Sequence, residues 1–311
     1  MSHLKKAYAA AFLYAVIIGF SLIFVKFALI SAHPIDLLAH RFTLSFAAAA
    51  AVVLLRRSKL RLSGKDMLAM LPLAVFFPTL YFALQTFGLL YIPSSEAGII
   101  QATIPLMTML LASYWIKEAS TFKQKIGIAL SVAGVVYMIA MKGIHMNAAN
   151  LNGALLILLS SLSFAVYNVL GRKLVQQYSA ADITFFIMGV SFVVFNGFAI
   201  GRHAAEGTLT SFFTPFVDPL FIASILYLGI LSSLITSLLT NYALTYMEAS
   251  KMSVFINLAT FITVIAGVAV FGEKLLPAHI TGGLVILAGV MIVNISGKPT
   301  RKLSETNRRS D

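Results

Sequence analysis

Hydrogen-bonding side chains recur inside long apolar stretches of this sequence, where a polar group is costly to bury. Inside lipid, each amide or hydroxyl needs a partner on another helix or a water-filled path. Two interpretations follow: interhelical hydrogen bonds, worth about 0.6 kcal/mol each on average, or a polar cavity that binds a small solute. The uncharged candidates are Tyr81, Gln85, Gln101, Tyr167, Asn168, Asn241 and Asn257.

Two cations, Lys26 and Arg41, also lie within apolar stretches. Charged side chains are expensive in lipid, so they face a cavity, a partner or the membrane surface. Lys26 is about 19 residues into its stretch, roughly 28 Å along a helix and near the far membrane face. It either extends to the interface or contacts an anionic solute or a gate. Arg41 lies early in the second stretch, where it could pair with Asp36, and a structural role is favoured over a functional one.

Enzyme chemistry is disfavoured by the residue types. The chain has no Cys, and its six His are scattered without metal-ligand spacing. Zinc-protease, P-loop and nucleophile-elbow motifs are absent from the sequence, so no metal, cofactor or ATP site is expected. Carboxylates fall at the ends of the apolar stretches, which disfavours proton coupling through a buried acid. Glu118 and Glu273 are predicted to tie helix ends to neighbouring lysines such as Lys274.

The elements that position these residues are membrane-spanning helices. With 59% hydrophobic and 11% charged residues, the chain is too apolar for a soluble protein. A span needs about 20 apolar residues, and the first stretch is too long for a cleaved signal. The sequence therefore predicts an all-α integral membrane protein with ten spans and a polar cytoplasmic tail, 297–311. The predicted spans are 7–30, 35–55, 67–90, 95–116, 124–141, 152–175, 182–201, 219–246, 250–271 and 279–296.

Charge placement predicts the orientation. Most Lys and Arg residues fall on the side of the N-terminus, whereas only Lys142, Arg202 and Lys274 fall in the opposite loops. The positive-inside rule then places both termini in the cytoplasm. The net charge of +12 is not gathered on one face, so nucleic acid is not an expected partner.

An internal repeat divides the spans into two halves. Shifting the chain by 155 residues places Glu118 on Glu273 and aligns spans three to five with spans eight to ten. Each half has an odd number of spans, so the halves, 7–141 and 152–296, lie in opposite orientations. Inverted repeats of this kind are typical of secondary transporters.

Particular residues give the chain a family resemblance: Gly19 and Lys26 in span one, Arg41, Ser94-Ser95-Glu96-Ala97, Glu118, Gly127, Ala133-Gly134, and the second-half residues Arg172, Glu273, Gly282 and Gly289. In their order and spacing they resemble EamA-type members of the drug/metabolite transporter superfamily. The resemblance implies a secondary transporter with alternating access in a bacterial inner membrane. Export of amino acids or related metabolites is the first expectation.

The resemblance also bears on the candidate site. Spans one, three, four, six, eight and nine line the pathway in this family, and they carry the candidate residues, which favours a cavity. The expected partners are the lipid bilayer and a small solute. The Gly127 and Gly134 stripe indicates helix packing, within the fold or in a homodimer. A multidrug exporter and a non-transporting receptor or scaffold remain the alternatives.

Overall fold

The computed structural model describes residues 3–55, 63–115, 122–142, 148–247 and 249–295. Helices dominate these residues, and the described part contains no strand. The predicted all-α membrane architecture is thereby confirmed. The predicted tail 297–311 and Glu118 lie outside the described residues.

The helices have the following bounds: α1 His3–Ser31, α2 Pro34–Leu55, α3 Gly64–Ala74, α4 Tyr81–Gly88, α5 Ser94–Gln101, α6 Ile104–Trp115, α7 Phe122–Lys142, α8 Ala148–Leu174, α9 Ala180–Glu206, α10 Pro219–Leu226, α11 Thr236–Tyr246, α12 Ala249–Phe271 and α13 Pro277–Ile295. A 3₁₀ segment, Leu209–Val217, precedes α10.

Length and hydropathy identify the helical segments that can cross a membrane. Within the described residues, seven segments are long and apolar enough: His3–Ser31, Pro34–Leu54, Gly64–Gly88, Ser94–Trp115, Asn150–Leu174, Ala180–Glu206 and Pro219–Tyr246. Shorter apolar helices are Lys125–Tyr137, Phe255–Phe271 and Pro277–Gly289. The count of ten spans stays a prediction.

Local sequence sets where several helices begin and end. Ser63 and Asp66 form a capping box at the start of α3. Asp218 accepts a hydrogen bond from the Leu220 N–H at the start of α10, where Pro219 occupies the first turn. Gly207 ends α9 in the left-handed region, at φ 66°, which glycine adopts without steric cost.

Two membrane segments depart from the regular α-helix, the first through a break and the second through π-helical turns, and we call both of them interrupted. Val75–Leu80 joins α3 to α4, and within it Phe77 has extended dihedrals, φ −143° and ψ 129°. Pro78 has no N–H to donate, so the helical ladder cannot run through it. Tyr227–Ile235 joins α10 to α11 through π-helical turns. Under the 155-residue shift, 75–80 corresponds to 230–235, so the two interruptions coincide in the repeat.

Glycines allow close helix packing at two places. A Cβ on Gly134 of α7 would lie 2.9 Å from the Gly282 carbonyl oxygen of α13, and one on Gly19 of α1 would lie 2.6 Å from Ile262 Cβ of α12. Larger residues would therefore force these helix pairs apart. The packing role expected for Gly134 is confirmed within the fold.

Candidate functional site

Arg41 is buried where α2 crosses the interrupted segment Tyr227–Ile235. Its side chain is 0% exposed. Nε donates to Ser233 Oγ at 2.7 Å and Nη2 donates to Ser232 Oγ at 3.1 Å. The guanidinium lies 3.7 Å from the centre of the Phe82 ring, in cation–π contact. Nη1 has no hydrogen-bond partner among the described residues.

The predicted pairing of Arg41 with Asp36 is wrong. Asp36 binds the side chains of two α9 residues, at 2.6 Å from Arg202 and 3.2 Å from His203. The two α2 residues are five positions apart, which turns them about 140° from each other around the helix. Arg41 therefore faces Ser232 and Ser233, and no ion pair involves it within the described residues.

The structure brings three of the predicted site residues together beside Arg41. Tyr81 is within electrostatic range of the guanidinium, and its ring lies 4.7 Å from the Phe82 ring. Gln85 Nε2 donates to the Tyr81 hydroxyl at 2.9 Å.

The third of these residues, Gln101, approaches the same Tyr81 hydroxyl from α5. Its amide nitrogen nevertheless has no hydrogen-bond partner in the described ranges, and neither has Gln85 Oε1. We call Arg41, Tyr81, Gln85 and Gln101 the Arg41 cluster.

A second group of predicted residues lies where α8 meets α11 and α9. The Tyr167 hydroxyl donates to Asn241 Oδ1 at 2.7 Å, and Asn241 Nδ2 donates to Thr184 Oγ1 at 3.0 Å. These side chains are buried. The interhelical hydrogen bonding that was one of the two interpretations is therefore present at Tyr167 and Asn241.

Aromatic rings connect the two groups. Phe77, in the extended break between α3 and α4, lies 5.4 Å from the Tyr81 ring and 4.5 Å from the Tyr167 ring. Phe164 lies 5.1 Å from Tyr81 and 5.6 Å from Tyr167. Tyr14 of α1 stacks on Phe164 at 6.4 Å. The site therefore has an aromatic wall beside polar groups, as small-molecule sites commonly do.

Asn168 of α8 and Asn257 of α12 lie outside these hydrogen bonds. Asn168 is 0% exposed, and neither its amide oxygen nor its nitrogen has a partner among the described residues. The Asn257 amide oxygen is likewise unpartnered within that part of the chain. Under the 155-residue shift, Thr86 corresponds to Asn241, and Thr240 corresponds to Gln85. Both threonines are also buried.

Lys26 belongs to a different group, at the end of the molecule where α5 begins. It is half-buried and interacts electrostatically with Glu273 and Glu96. Glu273 accepts hydrogen bonds from the Ser94 N–H at 2.8 Å, the Ser94 hydroxyl at 2.7 Å and the Ser95 N–H at 2.8 Å. We call this end of the bundle the Glu273 end.

Glu273 does tie helix ends together, but its main partner is the start of α5 rather than the predicted Lys274. Backbone N–H groups at a helix N-terminus attract a carboxylate. Burial alone raises the pKa of Glu273, but the hydrogen bonds from Ser95 and Ser94 outweigh it and hold the pKa below its ordinary value. The carboxylate is therefore ionised at neutral pH.

Sequence reasoning missed three contributors to the site. Arg41 was noticed but was assigned to a structural ion pair. Tyr14 lies in a span where the sequence pointed to Gly19 and Lys26 instead, and Ser232-Ser233 is a polar pair in an otherwise apolar stretch. The available signal was that the 155-residue shift places Ser232 and Ser233 on Phe77 and Pro78.

The molecule is a bundle of membrane-spanning helices. Two of its segments are interrupted at corresponding positions, and buried polar side chains lie beside them. This is the architecture of a membrane transporter. The sequence matches the EamA-like transporter family over residues 5–140 and 151–295. The chain belongs to this family, within the drug/metabolite transporter superfamily, and it is a multi-pass membrane transporter.

Relatives and a solved structure agree with this assignment. The chain is 49% identical to "Uncharacterized transporter YcxC" of Bacillus subtilis (strain 168) over 290 residues, 93% of each chain. It is 25% identical to "Probable terminal-alkyne amino-acid exporter" of Streptantibioticus cattleyicolor, over 69% of this chain and 68% of that protein. A crystal structure with 18% identity shares the fold, with a TM-score of 0.66 over 94% of this chain and 97% of that one.

Proposed function

We propose that this protein is a secondary transporter that exports an amino acid or a related small metabolite by alternating access. The observation that carries the proposal is the set of unpartnered buried polar atoms beside the two interrupted segments. Interrupted helices in corresponding halves are where secondary transporters bind their substrates, near the membrane midplane. The relative named as an amino-acid exporter supports the substrate class.

The proposal includes the arrangement in the membrane. The halves 7–141 and 152–296 form inverted five-helix repeats in a bacterial inner membrane, with both termini in the cytoplasm. The Glu273 end then faces outward. Its contacts to Ser94 and Ser95 close that side, and opening it requires those hydrogen bonds to break.

Two contacts that cross between the halves would change during the cycle. Arg41 of the first half holds Ser232 and Ser233 of the second. Phe77 of the first half packs on Tyr167 of the second. A solute bound between them touches both halves, so its binding free energy can differ between the outward and inward states. That difference is what allows a ligand to shift the conformational equilibrium.

Efflux from proteoliposomes tests the proposal. Vesicles are loaded with a labelled panel of amino acids and related metabolites, with and without a pH gradient. We expect at least one solute to leave faster than from protein-free vesicles, and Gln101→Ala to slow its efflux at least tenfold. Gln176→Ala is the matched control, because this glutamine is exposed beyond α8. Folded protein that moves no member of the panel would overturn the proposed substrate class.

A further inference from the structure

The Arg41 cluster is rich in unused hydrogen-bond donors. Nη1 of Arg41 and Nε2 of Gln101 have no acceptor among the described residues. The Tyr81 hydroxyl accepts from Gln85, so its own proton is available to donate. A buried donor that finds no acceptor loses the hydrogen bond that it made in water. Nη1 and Nε2 therefore lack an acceptor within the described protein, and the Tyr81 hydroxyl can donate to the same incoming group.

The cluster also carries an uncompensated positive charge. Among the described residues Arg41 makes no ion pair: Asp36 pairs with Arg202 and His203, Glu273 binds Ser94 and Ser95, and Glu96 lies near Lys26. The serine hydroxyls and the Phe82 ring hold the guanidinium in place, but they bring no negative charge. Burying an arginine without an anion is strongly unfavourable, which is why such residues inside membranes mark ligand sites.

We propose that the transported solute carries a carboxylate, and that this carboxylate binds Arg41 Nη1 together with the Tyr81 hydroxyl and the Gln101 amide. The inference rests on the proposed function and specifies its substrate class. The carboxylate's negative charge compensates the buried positive charge of Arg41. Cationic drugs would be repelled by the guanidinium.

One further group in the cluster distinguishes among carboxylates. Gln85 Oε1 is a buried acceptor without a partner among the described residues. It belongs to the same amide group as Gln85 Nε2, which donates to the Tyr81 hydroxyl. An ammonium group on the solute can donate to this oxygen. The cluster thus offers donors for a carboxylate beside an acceptor for an amine, which matches the two charges of an α-amino acid.

Matched ligand sets test this inference on the purified full chain. Binding is measured by thermal unfolding for L-leucine, L-leucinamide and 4-methylpentanoate, and for L-phenylalanine, L-phenylalaninamide and 3-phenylpropanoate. A ligand that binds only the folded state raises the unfolding temperature. In at least one set, we expect the amino acid to bind at least tenfold more tightly than its amide, with the deaminated acid between them.

Variants assign the preference to Arg41. Arg41→Gln should bring the acid and the amide within twofold of each other. Arg41→Lys keeps the charge but lacks the planar fork, so it should retain part of the preference. Arg202→Gln is the matched control, because it removes an arginine from the Asp36 contact outside the cluster, and it should leave the preference unchanged. The acid-to-amide comparison on the unaltered chain stands even if a variant does not fold.

Parallel efflux of the same compounds separates this inference from the proposed function. Carboxylate binding that depends on Arg41, without efflux of any compound, would uphold the anion site and overturn transport of this class. Efflux in which an amide matches its acid would uphold transport and overturn the anion site. If no compound binds or moves, both are wrong.

Discussion

Replacing Glu273 with glutamine should open the Glu273 end of the transporter. The carboxylate accepts two hydrogen bonds on Oε1, from Ser94, and one on Oε2, from the Ser95 N–H. Glutamine keeps an acceptor for Ser94 but puts an NH₂ donor against the Ser95 N–H. Hydrogen bonds to a charged group contribute about 1.5–3 kcal/mol, so we expect a loss of about 2 kcal/mol. Because about 1.4 kcal/mol is a tenfold change in an equilibrium, the open population should rise roughly 30-fold.

Cysteine labelling measures this opening, and the chain has no Cys to interfere. Ala97→Cys places a thiol at a fully buried position in the first turns of α5, so it reacts with a polar maleimide only when the Glu273 end opens. In purified protein we expect Glu273→Gln to raise its labelling rate about 30-fold, the factor derived from the lost hydrogen bond. Val217→Cys, at a site 83% exposed, should label at the same rate in both backgrounds. Equal labelling of the Ala97→Cys thiol in both backgrounds would show that the Glu273 hydrogen bonds do not hold this end closed.

Further predictions concern pH, a buried hydrogen bond and a helix contact. Because the pKa of Glu273 is lowered, the ionised carboxylate stabilises the closed Glu273 end fully above the ordinary pKa of a carboxyl group. This stabilisation is lost as pH falls through the lower, folded-state pKa. The labelling rate of the Ala97→Cys thiol is divided by that of the Val217→Cys thiol at the same pH, which cancels the pH dependence of thiolate formation. This ratio should stay constant from about pH 6 to 8 and rise only in acid below the ordinary value near 4.3; a rise near neutral pH would contradict this. Tyr167→Phe leaves Asn241 Oδ1 buried without its donor, so thermal unfolding should show a loss of about 1–3 kcal/mol; an unchanged unfolding temperature would contradict the buried contact. Gly134→Ala should destabilise the protein by about 1–3 kcal/mol because the added methyl group collides with α13. Gly197→Ala is the control: its added methyl group meets no atom within 4 Å, so it should stabilise the protein or leave its stability unchanged. Equal effects of the two substitutions would contradict the packing.

The helical membrane fold was predictable because composition alone dictates it. Apolar stretches of about 20 residues have few stable structures other than spanning helices. The grouping of Tyr81, Gln85 and Gln101 was partly predictable, since buried amides in neighbouring spans seek one another. Interruption of the third and eighth segments was not predicted, although Pro78 marks the first of them.

Partner choice was less predictable, because it depends on helix rotation and on distant segments. Arg41 and Asp36 are close in sequence, but five residues along a helix turn them to different faces. Glu273 stands next to Lys274, yet it binds the Ser94 and Ser95 N–H groups, which lie 179 and 178 positions away in the chain. Tertiary packing supplies these partners, and local spacing cannot reveal them.

Solute counterflow measures whether a small metabolite crosses the membrane through the Arg41 cluster. Proteoliposomes loaded with an unlabelled amino acid are diluted into a trace of the same labelled compound, and its accumulation is followed over time. We expect transient accumulation of at least one amino acid by the unaltered chain, and its loss in Arg41→Gln but not in Arg202→Gln. Accumulation that survives Arg41→Gln, or no accumulation of any amino acid by folded protein, would contradict this expectation.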